Sequence, residues 1–230
     1  MTIRALAGRK LYAFGDSLVK GHTLKVGMLD AAAAHEGMIL EKYAENGATI
    51  MPTEPGDHSY ASDNRIPDVA QQITSAPVEA PALICFDGLV NDASIGVRLS
   101  PLGHLTADFN DDYNLTTPYG AFEHVCAQLR QKYPHTQVLY IANHHIANNP
   151  LALQDQMHDL AIDVCQKWAI DVVDVYREGG INTNIPQMAA DYSYNGEGSD
   201  RDGDGTHLNV IGYETWYAPM IEAAIERHFS

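Results

Sequence analysis

Short apolar runs alternate with longer stretches of helical periodicity along this chain. That alternation predicts an α/β fold: a three-layer α/β/α sandwich around a five-stranded parallel sheet. The length of 230 residues suits one large domain spanning 1–230, and a hydrophobic content of 45% speaks against wholesale disorder. Crossovers between parallel strands are right-handed, which leaves few topologies, and a flavodoxin-like strand order 2-1-3-4-5 is expected. Neither an internal repeat nor a second domain is evident.

The elements follow in order. Leu11 to Phe14 reads as the first strand. Leu24, Met28 and Ala32, spaced by four, suggest a helix around Leu24 to Glu36. Ile39 to Ala44 reads as the second strand, ending at Glu45-Asn46-Gly47. Met51 to Arg65 is rich in Pro, Gly, Asp and Ser and reads as a loop. A short helix, Ile66 to Ile73, leads to the third strand, Ala82 to Phe86. The segment Ser94 to Thr116 is ambiguous and reads as an excursion over the sheet end. Thr117-Pro118 supplies an N-cap and first helical residue. Phe122, Cys126, Leu129 and Tyr133 then mark one helix face, and Pro134 stops the helix. Gln137 to Ala142 is the fourth strand. Asn149-Pro150 opens a helix with Leu153, Met157, Leu160, Val164 and Trp168 on its face. Asp171 to Tyr176 is the fifth strand. A last helix starts at Asn209, carries Tyr213, Trp216, Met220 and Ile221, and should be kinked or divided by Pro219.

A net charge of −16 makes nucleic acid and anionic membrane poor partners. The three cysteines, Cys85, Cys126 and Cys165, fall in a strand and on apolar helix faces, so buried thiols are expected rather than a disulfide framework. Residues Met1 to Lys10 contain no long apolar stretch, and no run approaches the roughly 18 apolar residues of a membrane span. A cytoplasmic location follows as the expectation, unless a targeting segment was trimmed away. The partner expected is a small-molecule ester, and a homo-oligomer is left open.

The chemistry lies at the two ends. Gly15-Asp16-Ser17-Leu18 follows the first strand, where a glycine permits a tight turn that presents the serine hydroxyl. Serine is a weak nucleophile and needs a base, which His207 can supply. Asp204 stands three residues earlier, close enough on one turn to orient the imidazole. Ligands in such sheets bind beyond the carboxyl ends of the strands, near the point where strand order reverses. The Ser17 N–H, the Gly47 N–H and the Asn91 side chain stand at three neighbouring strand ends and are suited to hold an oxyanion.

Gly-Asp-Ser-Leu after the first strand, a glycine after the second, Asn-Asp after the third and Asp-x-x-His near the C-terminus resemble the GDSL/SGNH hydrolases. The resemblance covers nearly the whole chain through few residues. It implies Ser17 as nucleophile, His207 as base, Asp204 as its partner and an oxyanion hole of Ser17, Gly47 and Asn91. It also implies ester or thioester hydrolysis, usually without a metal, so no cofactor is expected. Two departures stand out. The usual Gly-x-Asn-Asp block carries one extra residue in Gly88-Leu89-Val90-Asn91-Asp92, and the proline that often follows the histidine is Leu208.

Competing readings exist for several residues. Ser17, Asn91 and Gly47 could be ordinary turn residues, and Asp16 reads as a structural residue of its turn. Asp200, Asp202 and Asp204 match the opening of an EF-hand loop, but Ile211 stands where its glutamate belongs. His144 and His145 are adjacent, so in a strand they point to opposite faces and rarely chelate one ion. His22, Tyr60 and His144 are expected to border the pocket. Trp168 and Trp216 fit helix core faces rather than sugar platforms. The expected function is a serine esterase that removes a small acyl group, foremost acetyl, from a carbohydrate or similar molecule. A lipid esterase or acyl-thioesterase is the alternative. A non-catalytic sugar- or calcium-binding protein on the same scaffold is the different-class alternative.

Overall fold

The computed structural model describes residues 6–52, 66–94, 101–147, 149–195 and 203–229. Its strands are β1 (Lys10–Phe14), β2 (Ile39–Lys42), β3 (Leu83–Phe86), β4 (Gln137–Ala142) and β5 (Asp171–Asp174). All pair in parallel, in the order β2-β1-β3-β4-β5 expected above. The register sets Phe14 opposite Phe86, and Phe86 opposite Tyr140, so β1, β3 and β4 are level near their carboxyl ends.

The helices are α1 (Ser17–Lys20), α2 (Asp30–His35), α3 (Val69–Ser75), α4 (Val90–Ser94), α5 (Pro118–Lys132), α6 (Leu151–Lys167), α7 (Val175–Glu178), α8 (Pro186–Tyr192), α9 (Val210–Gly212) and α10 (Ala218–Phe229). Alternation along the strands divides the core into two layers. Tyr12, Phe14, Ile84, Phe86, Val138 and Tyr140 pack against α3, α5 and α6. Leu11, Ala13, Leu83, Cys85, Leu139 and Ile141 pack against α2 and α10. Each large apolar side chain so buried contributes about 1.5–3 kcal/mol. The three cysteines are buried and free. Among the described residues no helix is long and apolar enough to cross a membrane.

Several elements differ from expectation. The helix expected around Leu24 to Glu36 is confined to α2, and an unforeseen helix, α1, precedes it. Gly21 ends α1 in a left-handed conformation (φ 96°), and a Cβ there would lie 2.4 Å from the Val26 nitrogen, so the chain folds back on itself. Leu24 is consequently 36% exposed instead of facing the core. The second strand ends at Lys42, although Tyr43 N–H still donates to Ala13 O at 2.8 Å. Asp68 caps α3 by accepting from Gln71 N–H, which moves its start beyond Ile66. The fifth strand stops at Asp174 because that side chain caps α7, accepting from Arg177 N–H at 2.9 Å. α4 is five residues long and α8 buries none of its residues, so neither shows a helical apolar period.

Pro219 does not simply divide the last helix. A π-helical turn, Tyr213–Tyr217, joins α9 to α10, and Ala218 N–H donates to Tyr213 O, five residues back. The wider turn accommodates a residue that lacks an N–H and whose ring crowds the preceding turn.

Residues 101–116 form an irregular segment anchored by a buried charge pair. Glu123 on α5 is fully buried and meets Lys167 of α6 at 2.6 Å. Lys167 also donates to Thr106 O at 2.8 Å, and Thr106 N–H donates to Glu123 at 2.7 Å. Removing one partner strands the other charge in the interior. Lys167→Met should therefore destabilise the protein by about 3–5 kcal/mol, whereas adding Glu123→Leu should recover most of the loss. Urea denaturation of the two variants checks this.

Candidate active site

The nucleophile candidate sits where β1 turns into α1. Gly15 has φ 139°, and a Cβ there would lie 1.7 Å from Asp87 Oδ1, so the close approach of these two strand ends requires glycine. The Gln72 side-chain amide holds both faces of Gly15, accepting its N–H and donating to its carbonyl at 2.9 Å each. Asp16 N–H donates to Asp87 Oδ1 at 3.0 Å, and Asp16 Oδ1 accepts from Leu18 N–H at 2.8 Å as the α1 cap. Ser17 is thus the first residue of α1 and remains 8% exposed.

His207 reaches this position from 190 residues away. Its Nδ1 lies 2.6 Å from Asp204 Oδ2 and its Nε2 lies 2.7 Å from Ser17 Oγ. An ionised carboxylate only accepts, so Nδ1 carries the proton and Nε2 accepts from the serine hydroxyl. The other Asp204 oxygen accepts from the backbone N–H groups of Thr206 and His207, both at 2.8 Å. Burial pushes the Asp204 carboxyl up, but the His207 ring and these N–H groups outweigh it and hold the carboxyl below its usual range. The loop is fastened by backbone bonds: Tyr194 N–H donates to His207 O at 2.8 Å, and Asp204 N–H donates to Tyr194 O at 2.7 Å. Thr183 Oγ1 donates to Gly205 O at 2.6 Å. Leu208, where proline is usual, is buried in the core.

The residues expected to hold an oxyanion lie at the ends of β1, β2 and β3. Neither the Ser17 nor the Gly47 N–H has a hydrogen-bond partner among the described residues. Asn91 differs. Its side-chain amide donates to Ala48 O at 2.9 Å and to Asp16 Oδ2 at 3.1 Å, so both hydrogens are already engaged. Asn91 braces the Gly47 turn against Asp16, and an oxyanion would have to share one of those hydrogens. The extra residue in this block is absorbed at Leu89, which takes φ 74° ahead of α4. Asp92 is fully buried and accepts from Ile50 and Met51 N–H at 3.0 and 2.9 Å; burial still pushes its carboxyl up to about 6.

Of the expected pocket residues, His22 is brought to the site and stacks on His207 with ring centroids 4.0 Å apart. His144 is buried; Tyr217 OH accepts from its backbone N–H at 3.1 Å and donates to its Nδ1 at 2.7 Å. Burial, with His145 and His207 nearby, pushes its imidazole down to about 3. His144 lines a cavity of about 50 Å³ with Leu89, Val90, Ala142, Asn143 and Ile146. His145 turns away and packs on Tyr176, with ring centroids 4.0 Å apart. Tyr60, Asp200 and Asp202 lie outside the described residues. His22, Asp204 and His207 each offer a ligand atom within 4.8 Å of the others. The two imidazole planes are only 11° apart, so their in-plane lone pairs do not converge on one point, and both His207 nitrogens are already bonded.

Sequence reasoning missed Asp87, Gln72 and Asn143. Asp87 had a signal: a carboxylate directly after the wholly apolar strand β3. It is fully buried, 1% exposed Asp16 lies beside it, and Asn143 Nδ2 donates to its Oδ2 at 3.2 Å. Burial and then Asp87 push the Asp16 carboxyl well above its usual range, and burial pushes Asp87 up to about 6. Two buried carboxylates this close oppose each other's ionisation.

No protein-family model and no curated protein sequence matches the chain. Solved structures do match it. A Lactobacillus plantarum protein is 22% identical, covering 98% of this chain and 99% of its own, with a TM-score of 0.74. A GDSL-like lipase candidate from Bacteroides uniformis is 17% identical, covering 96% of each chain, with a TM-score of 0.65. A family two carbohydrate esterase from Clostridium thermocellum is 13% identical, covering 97% of this chain and 64% of its own, with a TM-score of 0.60. These likenesses establish a three-layer α/β/α fold shared with proteins named GDSL-like lipases.

The carboxyl pair has a measurable consequence. Asp87 has a folded-state value raised from 3.8 to about 6. Its stabilising contribution is therefore full below about pH 4 and is lost as pH rises through about 6. Asp87→Asn removes this titration, and its new amide can face Asn143 Oδ1, which has no partner among the described residues. Urea denaturation from pH 4 to 7 should show the variant gaining on wild type by on the order of 1–3 kcal/mol.

Proposed function

We propose that this protein is a serine ester hydrolase of the GDSL/SGNH type that releases a short acyl group. The observation carrying this reading is the unbroken line from Asp204 Oδ2 through His207 to Ser17 Oγ, with links of 2.6 and 2.7 Å. Ser17 Oγ attacks the ester carbonyl carbon while His207 Nε2 takes its proton. Asp204 holds the resulting imidazolium. The negative charge on the former carbonyl oxygen is received by the Ser17 and Gly47 N–H groups and by an Asn91 hydrogen turned from its present partner. The tetrahedral adduct expels the alcohol, which takes the proton from His207, and leaves an acyl-serine. Water then gives a proton to His207, attacks the acyl carbon and releases the carboxylic acid, while the proton returns to Ser17.

A similarly folded protein is named a carbohydrate esterase, which favours a short acyl group, foremost acetyl, on a carbohydrate by analogy of fold.

Turnover of p-nitrophenyl acetate tests this. Ser17→Ala and His207→Ala should each lose on the order of 10³-fold or more in kcat, with wild-type activity indifferent to chelator. Activity should fall steeply from butyryl to octanoyl esters. Equal turnover by Ser17→Ala would overturn the reading, and a chelator-sensitive rate would restore a cation to the acidic loop.

A further inference from the structure

The imidazole of His22 lies flat against that of His207, with centroids 4.0 Å apart and planes 11° apart. We propose that His22 is a positioning residue: a stacking platform that fixes the plane of the His207 ring. The proposal rests on the hydrolase reading of the Ser17 site.

Two hydrogen bonds at Nδ1 and Nε2 define a line through the imidazole, not a plane. The ring can still rock about that line, and rocking swings the Nε2 lone pair off Ser17 Oγ. A flat contact on the ring face removes this freedom. His22 is well placed to supply it, because the turn that ends the nucleophile's helix at Gly21 presents the platform. Gly21 and His22 N–H both donate to Ser17 O, at 2.8 and 3.0 Å. The platform is also gripped from a second side. Tyr194 meets the His22 ring edge-on at 5.4 Å and 77°, while its backbone bonds both His207 and Asp204. Ser17, His22, Tyr194 and His207 therefore form a closed circuit of contacts.

The backbone confirms that the placement is specified. His22 has φ 45°, a left-handed value that non-glycine residues adopt uncommonly. Such outliers persist where surrounding structure enforces them. The ionisable groups near the ring are His207, Asp204 and Tyr194. Burial and then His207 lower the protonation of His22 below the usual histidine range, against the pull of Asp204. A neutral ring can lie against the imidazolium that forms when Ser17 gives up its proton, whereas a second cation at that distance would oppose it.

Two variants separate stacking from other roles. His22→Asn removes the ring with a residue that tolerates positive φ, and His22→Phe keeps a flat ring without nitrogens. His22→Asn should lose roughly 10–100-fold in kcat, as small misplacements of reacting groups do, with KM within about twofold. His22→Phe should stay within about threefold of wild type in both constants. Proton NMR supplies a readout independent of turnover. The His207 Nδ1 proton on Asp204 should give a sharp downfield signal in wild type and His22→Phe, and a broadened or absent one in His22→Asn. Wild-type kcat and an unchanged proton signal in His22→Asn would overturn the proposal. So would a His22→Phe variant that keeps wild-type stability in urea yet is as impaired as His22→Asn, because the ring nitrogens rather than the stacked face or strain at φ 45° would then matter. If wild type shows no Ser17-dependent hydrolysis, the functional reading fails, and the NMR comparison still decides whether His22 holds the ring.

Discussion

The buried junction of Asp16 and Asp87 is the constraint on which the rest of the site depends. It ties the carboxyl ends of β1 and β3 together through the 3.0 Å bond from Asp16 N–H to Asp87 Oδ1. From there the network spreads: Asp16 accepts from Leu18 and Asn91, and Asp87 accepts from Asn143. Three chain segments, at 16–18, 87–91 and 143, converge on two carboxyl groups. Burying them is costly, and the cost is limited by the donors to their oxygens. Ser17 gains a fixed position as a result, since Asp16, the residue before it, is both the cap of its helix and a member of this junction.

The second half of the site is independent of the first in its fastening. The loop bearing Asp204 and His207 hangs on Tyr194, Thr183 and Ala147, residues beyond β4 and β5. It reaches the first half through Ser17 and through the stacked ring of His22. The proposed base and nucleophile thus come from two separately braced bodies of structure. Their alignment depends on the few contacts that cross between them, which makes the face-to-face histidine pair more than a local decoration.

The sheet was legible in the sequence because its strands are short apolar runs separated by amphipathic helices, and parallel crossovers leave little choice of order. Asp204 and His207 were legible for a different reason. Their spacing is local, so one turn suffices to bring them together, as the hydrogen bond at 2.6 Å shows. The contact of Asp16 with Asp87 spans 71 positions and leaves no periodic trace. The double engagement of Asn91 was hidden likewise, because its partners Ala48 and Asp16 sit on different loops. α1 escaped because four residues cannot display a helical period, and Leu24, Met28 and Ala32 imitated one across a chain reversal at Gly21. His22 was recognised as a neighbour of the pocket, but its stacking arises from a left-handed backbone that composition does not reveal.

The central claim is that Ser17 carries the acyl group between the two half-reactions. Exposure of the wild-type protein to a serine-reactive fluorophosphonate, followed by peptide mass spectrometry, addresses it directly. One stoichiometric adduct is expected, on Ser17, formed in step with loss of esterase activity and strongly slowed in Asp204→Ala. Esterase activity that persists with Ser17 fully labelled, or an inactivating adduct on another residue, would contradict it.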